Sequence, residues 1–382
     1  MRILILGGDG FLGWPTAMNL SALGHEVMVV DNFLRREMAQ QCDLPTLFPT
    51  PSLEERVKHW QALSGRAIEV RAGDICDYAF LKRVFEEFQP ETVIHYAEQP
   101  SAPYSMLDQG TAQKTLVNNL NGTLNVAYAV KETNPEIHIV KLGTMGEYGT
   151  PNIDIEEGFI EIEHKGRKDR FLFPRQAGSL YHTTKIQDTD LLYFYVRAWG
   201  LRVTDLMQGP VYGLFTDEMQ GDDKLFTCFA YDEVFGTVLN RFIVQAVAGV
   251  PLTVYGKGGQ TRGYLNIMDT LQCVALAVDN PVKHGELRIF NQFTEVFSVL
   301  QLAAMVREAA ETLGIDVEVR NLPNPRVEAE EHYYNPVHHG LRELGLQPHL
   351  LTTEGLAQII EQVRRYENRI RKDIILPKVQ WK

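Results

Sequence analysis

An almost wholly apolar run, Ile3-Leu4-Ile5-Leu6, passes directly into Gly7-Gly8-Asp9-Gly10-Phe11-Leu12-Gly13, and no other stretch limits the fold so strongly. A strand that is apolar on both faces belongs inside a parallel sheet covered by helices on either side. Glycines at 7, 10 and 13 permit a tight turn, close backbone approach to a pyrophosphate and tight packing of the following helix, whose amino terminus then faces the phosphates. Phe11 to Leu23 reads as that helix, with Phe11 and Leu12 at the cofactor. The next strand, Glu26 to Val30, ends in Asp31-Asn32. An acidic residue about 20 positions past the glycines can accept hydrogen bonds from an adenosine ribose and repels a 2′-phosphate, which favours NAD over NADP. Arg35 and Arg36 weigh the other way, since a guanidinium could accept that phosphate, and Arg36 is taken as a cofactor contact.

Strands alternating with helices continue at Ile68–Val70, Thr92–His95, His138–Leu142 and Leu201–Leu206. Gly73-Asp74-Ile75 leaves the third strand where such a fold meets an adenine, although Asp74 also reads as the N-cap of a helix over Tyr78 to Phe88. Ala97 borders the cofactor. The proline-bounded loop Gln99 to Ser105 leaves a strand's carboxyl end, where open parallel sheets bind ligands, so Gln99, Ser101 and Tyr104 are candidate substrate contacts. Asn119, on a long helix from about Asp108 to Glu132, either positions the catalytic groups or is a buried structural amide. Gln208 and Val211 close the cofactor side. The expected fold is α/β: a Rossmann-type doubly wound parallel sheet with a smaller mixed α/β C-terminal substrate domain. Its NAD domain spans 1–207 with a returning segment at about 237–270, and 208–236 with 271–382 form the substrate domain.

Tyr181 and Lys185 stand four apart, on one face of a helix. A phenol has a pKa of about 10 and a neighbouring cation favours its ionised form, so Lys185 is expected to bring Tyr181 towards working pH as a base and to hold the cofactor ribose, both residues touching the cofactor. Thr144, ending the fifth strand, could share with Tyr181 the oxygen of a sugar carbon being oxidised. Alone, a Tyr-x-x-x-Lys pair is uninformative. Behind a phosphate loop and an acidic ribose contact it points to an NAD-dependent oxidation.

Composition narrows the partners. Asp and Glu outnumber Lys and Arg by 49 to 37 in 382 residues, a formal charge of −12, which disfavours nucleic acid and anionic membranes. Cys42, Cys76, Cys228 and Cys273 lack any metal-ligand or disulfide spacing and read as reduced, mostly buried thiols, with no metal site. No run approaches the roughly 20 apolar residues that cross a bilayer, so a cytoplasmic protein without membrane insertion is expected. Residues 33–66 read as an insertion beside the sheet edge, 155–178 as a loop or hairpin near the site's mouth, and 214–235 as a lid or oligomer contact. Arg262, in a glycine-rich loop, and Arg326 are candidate clamps for a diphosphate.

Together these residues resemble the extended short-chain dehydrogenase/reductases that act on nucleotide sugars, in which the spacing Gly-x-x-Gly-x-x-Gly is usual. The narrower resemblance is to the UDP-sulfoquinovose synthase family. It rests on Gly7 to Gly10, Ser101-Ala102-Pro103-Tyr104-Ser105-Met106, the unbroken stretch Val140 to Gly158, and on Val254 to Leu265, Phe290 to Glu295 and Pro325 to Tyr334. The resemblance implies conversion of UDP-glucose and sulfite to UDP-sulfoquinovose with tightly bound NAD. Oxidation at carbon 4 acidifies the carbon 5 proton, loss of the carbon 6 hydroxyl gives an enone, sulfite adds at carbon 6, and the stored hydride returns. It also implies a homo-oligomer, dimer or tetramer, and a role in sulfolipid or sulfonated-glycan synthesis. Sugar 4,6-dehydratases carry Asp-Glu after the catalytic Thr; here Met145-Gly146 follow Thr144, leaving Glu147 and His182 as the proposed elimination pair. Pro100 stands where the family has Arg. The rival readings are a UDP-glucose 4-epimerase or related isomerase and a non-catalytic NAD-binding regulator.

Overall fold

A computed structural model describes residues 1–324 and 332–376. The first half runs β1 (Arg2–Leu6), α1 (Gly13–Ala22), β2 (Glu26–Asp31), α2 (Leu34–Gln41), α3 (Leu53–Ser64), β3 (Ile68–Ala72), α4 (Tyr78–Phe88), β4 (Thr92–His95), α5 (Gln109–Thr133) and β5 (His138–Thr144). An exposed hairpin of β6 (Phe159–His164) and β7 (Arg167–Leu172) precedes α6 (Leu180–Trp199) and β8 (Arg202–Gln208). Then come β9 (Val211–Tyr212), α7 (Val238–Val247), β10 (Leu252–Tyr255), β11 (Thr261–Asn266), α8 (Ile267–Asp279), β12 (Leu287–Gln292), β13 (Glu295–Ser298), α9 (Val299–Thr312), β14 (Val319–Leu322), α10 (Gly340–Glu343) and α11 (Thr353–Arg364).

Seven strands form one sheet in the order β12-β8-β5-β4-β1-β2-β3, with every pair parallel. Ile3, Leu4, Ile5 and Leu6 are all fully buried, as a strand covered on both faces requires. The order reverses between β1 and β4, so their carboxyl ends open the crevice where such sheets bind ligands. Six strands lie where the sequence places them. The seventh, β12, comes from the stretch assigned to the substrate domain, and the expected returning segment 237–270 does not enter the sheet: β10 pairs with β14, and β11 with β9 and β13. A short apolar run such as Leu252–Tyr255 forms a strand readily but carries no signal of which sheet it joins.

Local chemistry fixes where the site-bearing helices begin. Ser179 accepts the His182 N–H and Gly200 ends α6 at φ +73°, which places Tyr181 and His182 in its first turn. Asp108 and Thr111 form a capping box at α5, as do Ser52 and Glu55 at α3. The segment expected as a lid or oligomer contact is core instead: Leu214, Leu225, Phe226, Phe229 and Tyr231 are buried. Phe48, from the other insertion, packs on Phe226, Phe229 and Tyr366 with ring centres 5.0–5.6 Å apart. The hairpin forms within 155–178 as expected, but none of its residues lines the cavity described below. The four cysteines are free thiols and only Cys273 is fully buried.

Candidate active site

One cavity of about 560 Å³ extends along the carboxyl ends of β1, β2, β4, β5 and β8. Its floor begins at the glycine loop. Gly7 has φ +93°, and a Cβ there would lie 2.8 Å from the Tyr96 carbonyl carbon; a Cβ on Gly13 would lie 1.9 Å from the Gly7 oxygen. Only glycine allows this close approach of turn, helix and neighbouring strand. Gly10, Phe11, Leu12, Asp31, Asn32, Ile75, Ala97, Gln208 and Val211 line the same cavity, as the sequence predicts for a dinucleotide. Asp31 accepts the N–H groups of Asp9 (2.8 Å) and Phe33 (2.7 Å). Burial raises its pKa to about 6 against these hydrogen bonds, and each oxygen keeps a lone pair for a ribose hydroxyl.

Arg36 does not face the cofactor side as expected. Its guanidinium grips both oxygens of the Asp9 carboxylate (2.6 and 2.9 Å) and the carbonyls of Thr50 and Pro51, and buried Arg56 donates to Asp9 Oδ1 as well, at 2.5 Å. A carboxylate inside the phosphate loop is thus neutralised by two arginines from the inserted segment. Arg35, over the Phe235 ring at 3.5 Å, lines the cavity in its place. Asp74 is exposed, accepts the Cys76 N–H and lies outside the cavity lining, while the neighbouring Asp77 caps α4.

The catalytic candidates meet at the end of β5. Thr144 and Tyr181 both line the cavity, with His182 beside them and the Tyr181 and His182 ring centres 5.2 Å apart. Gly146 leaves room for the imidazole, since a Cβ there would come within 2.3 Å of His182 Nε2. Lys185 lies on the predicted helix face, yet it does not hold the phenol. Its Nζ donates to the Leu142 carbonyl at 2.6 Å and pairs with Glu98 at 2.7 Å, and stands 5.9 Å from the Tyr181 ring centre. Burial, then the charges of Glu98 and Glu147, push the Tyr181 phenol above its ordinary pKa, opposite to the sequence expectation. Glu147 is fully buried under Thr144: it accepts the Thr144 N–H (3.3 Å) and stands 3.6 Å from Lys141 and 3.5 Å from Arg175. It belongs to an ionic cluster with Asp205 behind the site and is not a cavity group, which leaves His182 alone of the proposed elimination pair.

Two further expectations, Gln99 and Tyr104, change because a group engaged inside the protein has little left for a ligand, and Asn119 takes the structural one of its two readings. Gln99 is buried, donating to Ser101 O and Thr115 while accepting the Ser101 N–H. Asn119 joins Gln99 to Thr184 of α6, and its neighbour Asn118 reaches the cavity. Tyr104 is buried against Phe235. Ser101 and Pro100 do line the cavity. On the far wall Arg262 donates to Thr261 O and contacts His332 at 3.0 Å. Arg241 also lines the cavity, bonded to Tyr255 at 2.8 Å and unforeseen because it sits within helix α7. Arg326 lies outside the described residues. Among the described residues no cluster of His, Cys, Asp and Glu is placed to hold a metal, and no helix is long and apolar enough to cross a membrane.

Comparison with known proteins agrees with this geometry. Residues 3–291 match the NAD dependent epimerase/dehydratase family. The chain is 54% identical to the chloroplastic UDP-sulfoquinovose synthase of Spinacia oleracea over 100% of its own length and 79% of that protein. It is 47% identical to the UDP-sulfoquinovose synthase of Sulfolobus acidocaldarius, over 100% of this chain and 98% of the relative. Among solved structures, the UDP-glucose 4-epimerase of Thermus thermophilus in complex with NAD superposes with a TM-score of 0.67 at 25% identity, covering 95% of this chain and 99% of that one. The chain therefore belongs to the UDP-sulfoquinovose synthase family, a branch of the NAD dependent epimerase/dehydratases.

Proposed function

We propose that this enzyme makes UDP-sulfoquinovose from UDP-glucose and sulfite, releasing water. The observation that carries the reading is Thr144, Tyr181 and His182 standing together at the switch-point cavity, in a chain 54% identical over its whole length to a named synthase. NAD fits the cleft: the glycine loop leaves space for a pyrophosphate, and Asp31 has oxygens for a ribose. When bound, NAD supplies the exchange of a hydride with carbon 4. The chain's residues do the rest. Thr144 orients the 4-hydroxyl and Tyr181 takes its proton. His182 moves the protons of the carbon 5 and carbon 6 elimination, the task for which Glu147 is too deeply buried. Arg241 and Arg262 hold the diphosphate of the sugar nucleotide. Sulfite adds through sulfur at carbon 6, a proton returns to carbon 5, and Tyr181 gives its proton back. The working unit is a homo-oligomer, in the cytoplasm.

The test is mass spectrometry of the nucleotide sugars after incubation with UDP-glucose, with and without sulfite. A sulfite-dependent sulfonate is the expected product. UDP-galactose with no trace of sulfite would move the enzyme to the epimerases, the reading that the Thermus likeness favours. Tyr181→Phe is expected to abolish product; unchanged biological effect in that variant would mark a non-catalytic regulator.

A further inference from the structure

Glu98 is the one carboxylate at the nicotinamide end of the cavity that the proposed chemistry leaves without a task among the described residues. It leaves β4 next to the cofactor-bordering Ala97, and its side chain is only 2% exposed. Its ion pair with Lys185 (2.7 Å) and the bond from Lys185 to the Leu142 carbonyl (2.6 Å) fix the ammonium between β4 and β5. That ammonium lies 5.9 Å from the centre of the Tyr181 ring. A carboxylate so close neutralises the cation that would stabilise a phenolate, and adds its own repulsion.

We propose that Glu98 is a positioning residue that decides when Tyr181 can act as a base: while it holds Lys185, the phenol keeps its proton. The inference rests on Tyr181 being the base of the proposed function. The surroundings agree. Tyr181 faces Lys185, Asp188 and His182 on α6, Lys141 on β5 with Glu147 after it, and Glu98 after β4. Lys141, although paired with Asp205 (3.0 Å), still favours the ionised phenol, and Lys185 is the second cation near the ring, held by Glu98. Burial alone would raise the Glu98 carboxyl, but the Lys185 charge, with Lys141 behind it, outweighs burial and lowers it, while His95 stands 3.7 Å away as a neutral ring. Burial, then the Glu98 charge, push the adjoining Asp188 carboxyl well above the usual carboxylate range, which weakens it as a second competitor for Lys185.

The experiment is a pH profile of the single-turnover reduction of bound NAD by UDP-glucose, without sulfite, in the holoenzyme of the parent and the Glu98→Gln and Glu98→Asp variants. In Glu98→Gln the ascending limb is expected to move to lower pH by about one unit, making oxidation about tenfold faster on the acid side. Glu98→Asp keeps the charge and is expected to stay near the parent. A limb that is unmoved or shifted upward in Glu98→Gln overturns the proposal, because a merely structural carboxylate would lower the rate without moving the limb. Should Glu98→Gln fail to fold, ultraviolet titration of tyrosinate in the Glu98→Asp and parent holoenzymes, each referenced to its Tyr181→Phe version, measures the same phenol. There a phenol that ionises at its ordinary pKa in the parent overturns the proposal. Failure of the sulfonate assignment would show instead as oxidation without a sulfonated product, and loss of the Tyr181 role as oxidation surviving in Tyr181→Phe.

Discussion

Gly146 shows how one missing methyl group serves a neighbour. The His182 ring occupies the place where a side chain at 146 would begin, 2.3 Å from Nε2, so Gly146→Ala must turn the imidazole away from the cavity. Sulfonate formation is expected to fall about tenfold or more, equivalent to ~1.4 kcal/mol in the barrier. Reduction of NAD by UDP-glucose alone should be nearly unaffected, since Thr144 and Tyr181 keep their places. Comparing the two rates in one preparation checks this; equal losses in both would remove His182 from the elimination. At this scale the sequence names residue types better than it names exposures. Thr144, Tyr181 and His182 reach the cavity as expected, whereas Asn119 and Gln99 spend their amide groups on Gln99's backbone and on Ser101, Thr184 and Thr115. Asn118 and Asn119 are adjacent, and nothing in their order tells which one turns towards a ligand.

Elements acquire their meaning from what they pack on. The inserted stretch that holds Phe48 and α3 contributes Arg36 and Arg56 to the phosphate loop and buries Phe48 under Phe226, Phe229 and Tyr366. Phe48→Ala removes a fully buried ring from that junction and is expected to cost about 3–5 kcal/mol by lost burial and the cavity left behind. Urea unfolding of parent and variant measures it. A loss below about 1 kcal/mol would mean that the aromatic cluster collapses onto the gap. The acidic residues of segment 214–235 are conspicuous in sequence and suggest a lid. In space Asp217 and Asp223 face outward while the segment's apolar residues fill the core, an alternation too irregular to register as a helix or strand period.

Across the whole molecule, two imidazoles are carried in the sheet as neutral groups. Burial lowers His95 to a pKa of about 4 and His138 to about 3, each bonded to a threonine hydroxyl, Thr123 and Thr204. His95 also faces Glu98, Lys185 and Lys141, and His138 faces Arg288 and Arg202. Both folded values lie below the unfolded value of about 6.5, so the unfolded chain binds protons first and stability falls as pH drops through about 6.5, levelling only below the folded values. Each site contributes at most of order 3–5 kcal/mol to that loss. His138→Gln keeps a donor for Thr204 and is expected to flatten the decline, measured as denaturation midpoints between about pH 7 and pH 5. An identical decline in parent and variant would assign acid lability to other groups.

The amino-acid order was enough to place the sheet's first six strands, the glycine turn after β1, Asp31 at the end of β2, and Thr144 and Tyr181 at one cavity. Each is a local pattern of apolar period, glycine spacing or side-chain order, and local patterns survive folding unchanged. Tertiary structure alone decided that β12 and not 237–270 completes the sheet, that Glu147 lies under the site and not in it, and that Lys185 answers to Glu98. Those outcomes depend on which charges and apolar faces are brought together from positions distant in the chain. Burial then sets their ionisation, and no spacing in the sequence records it.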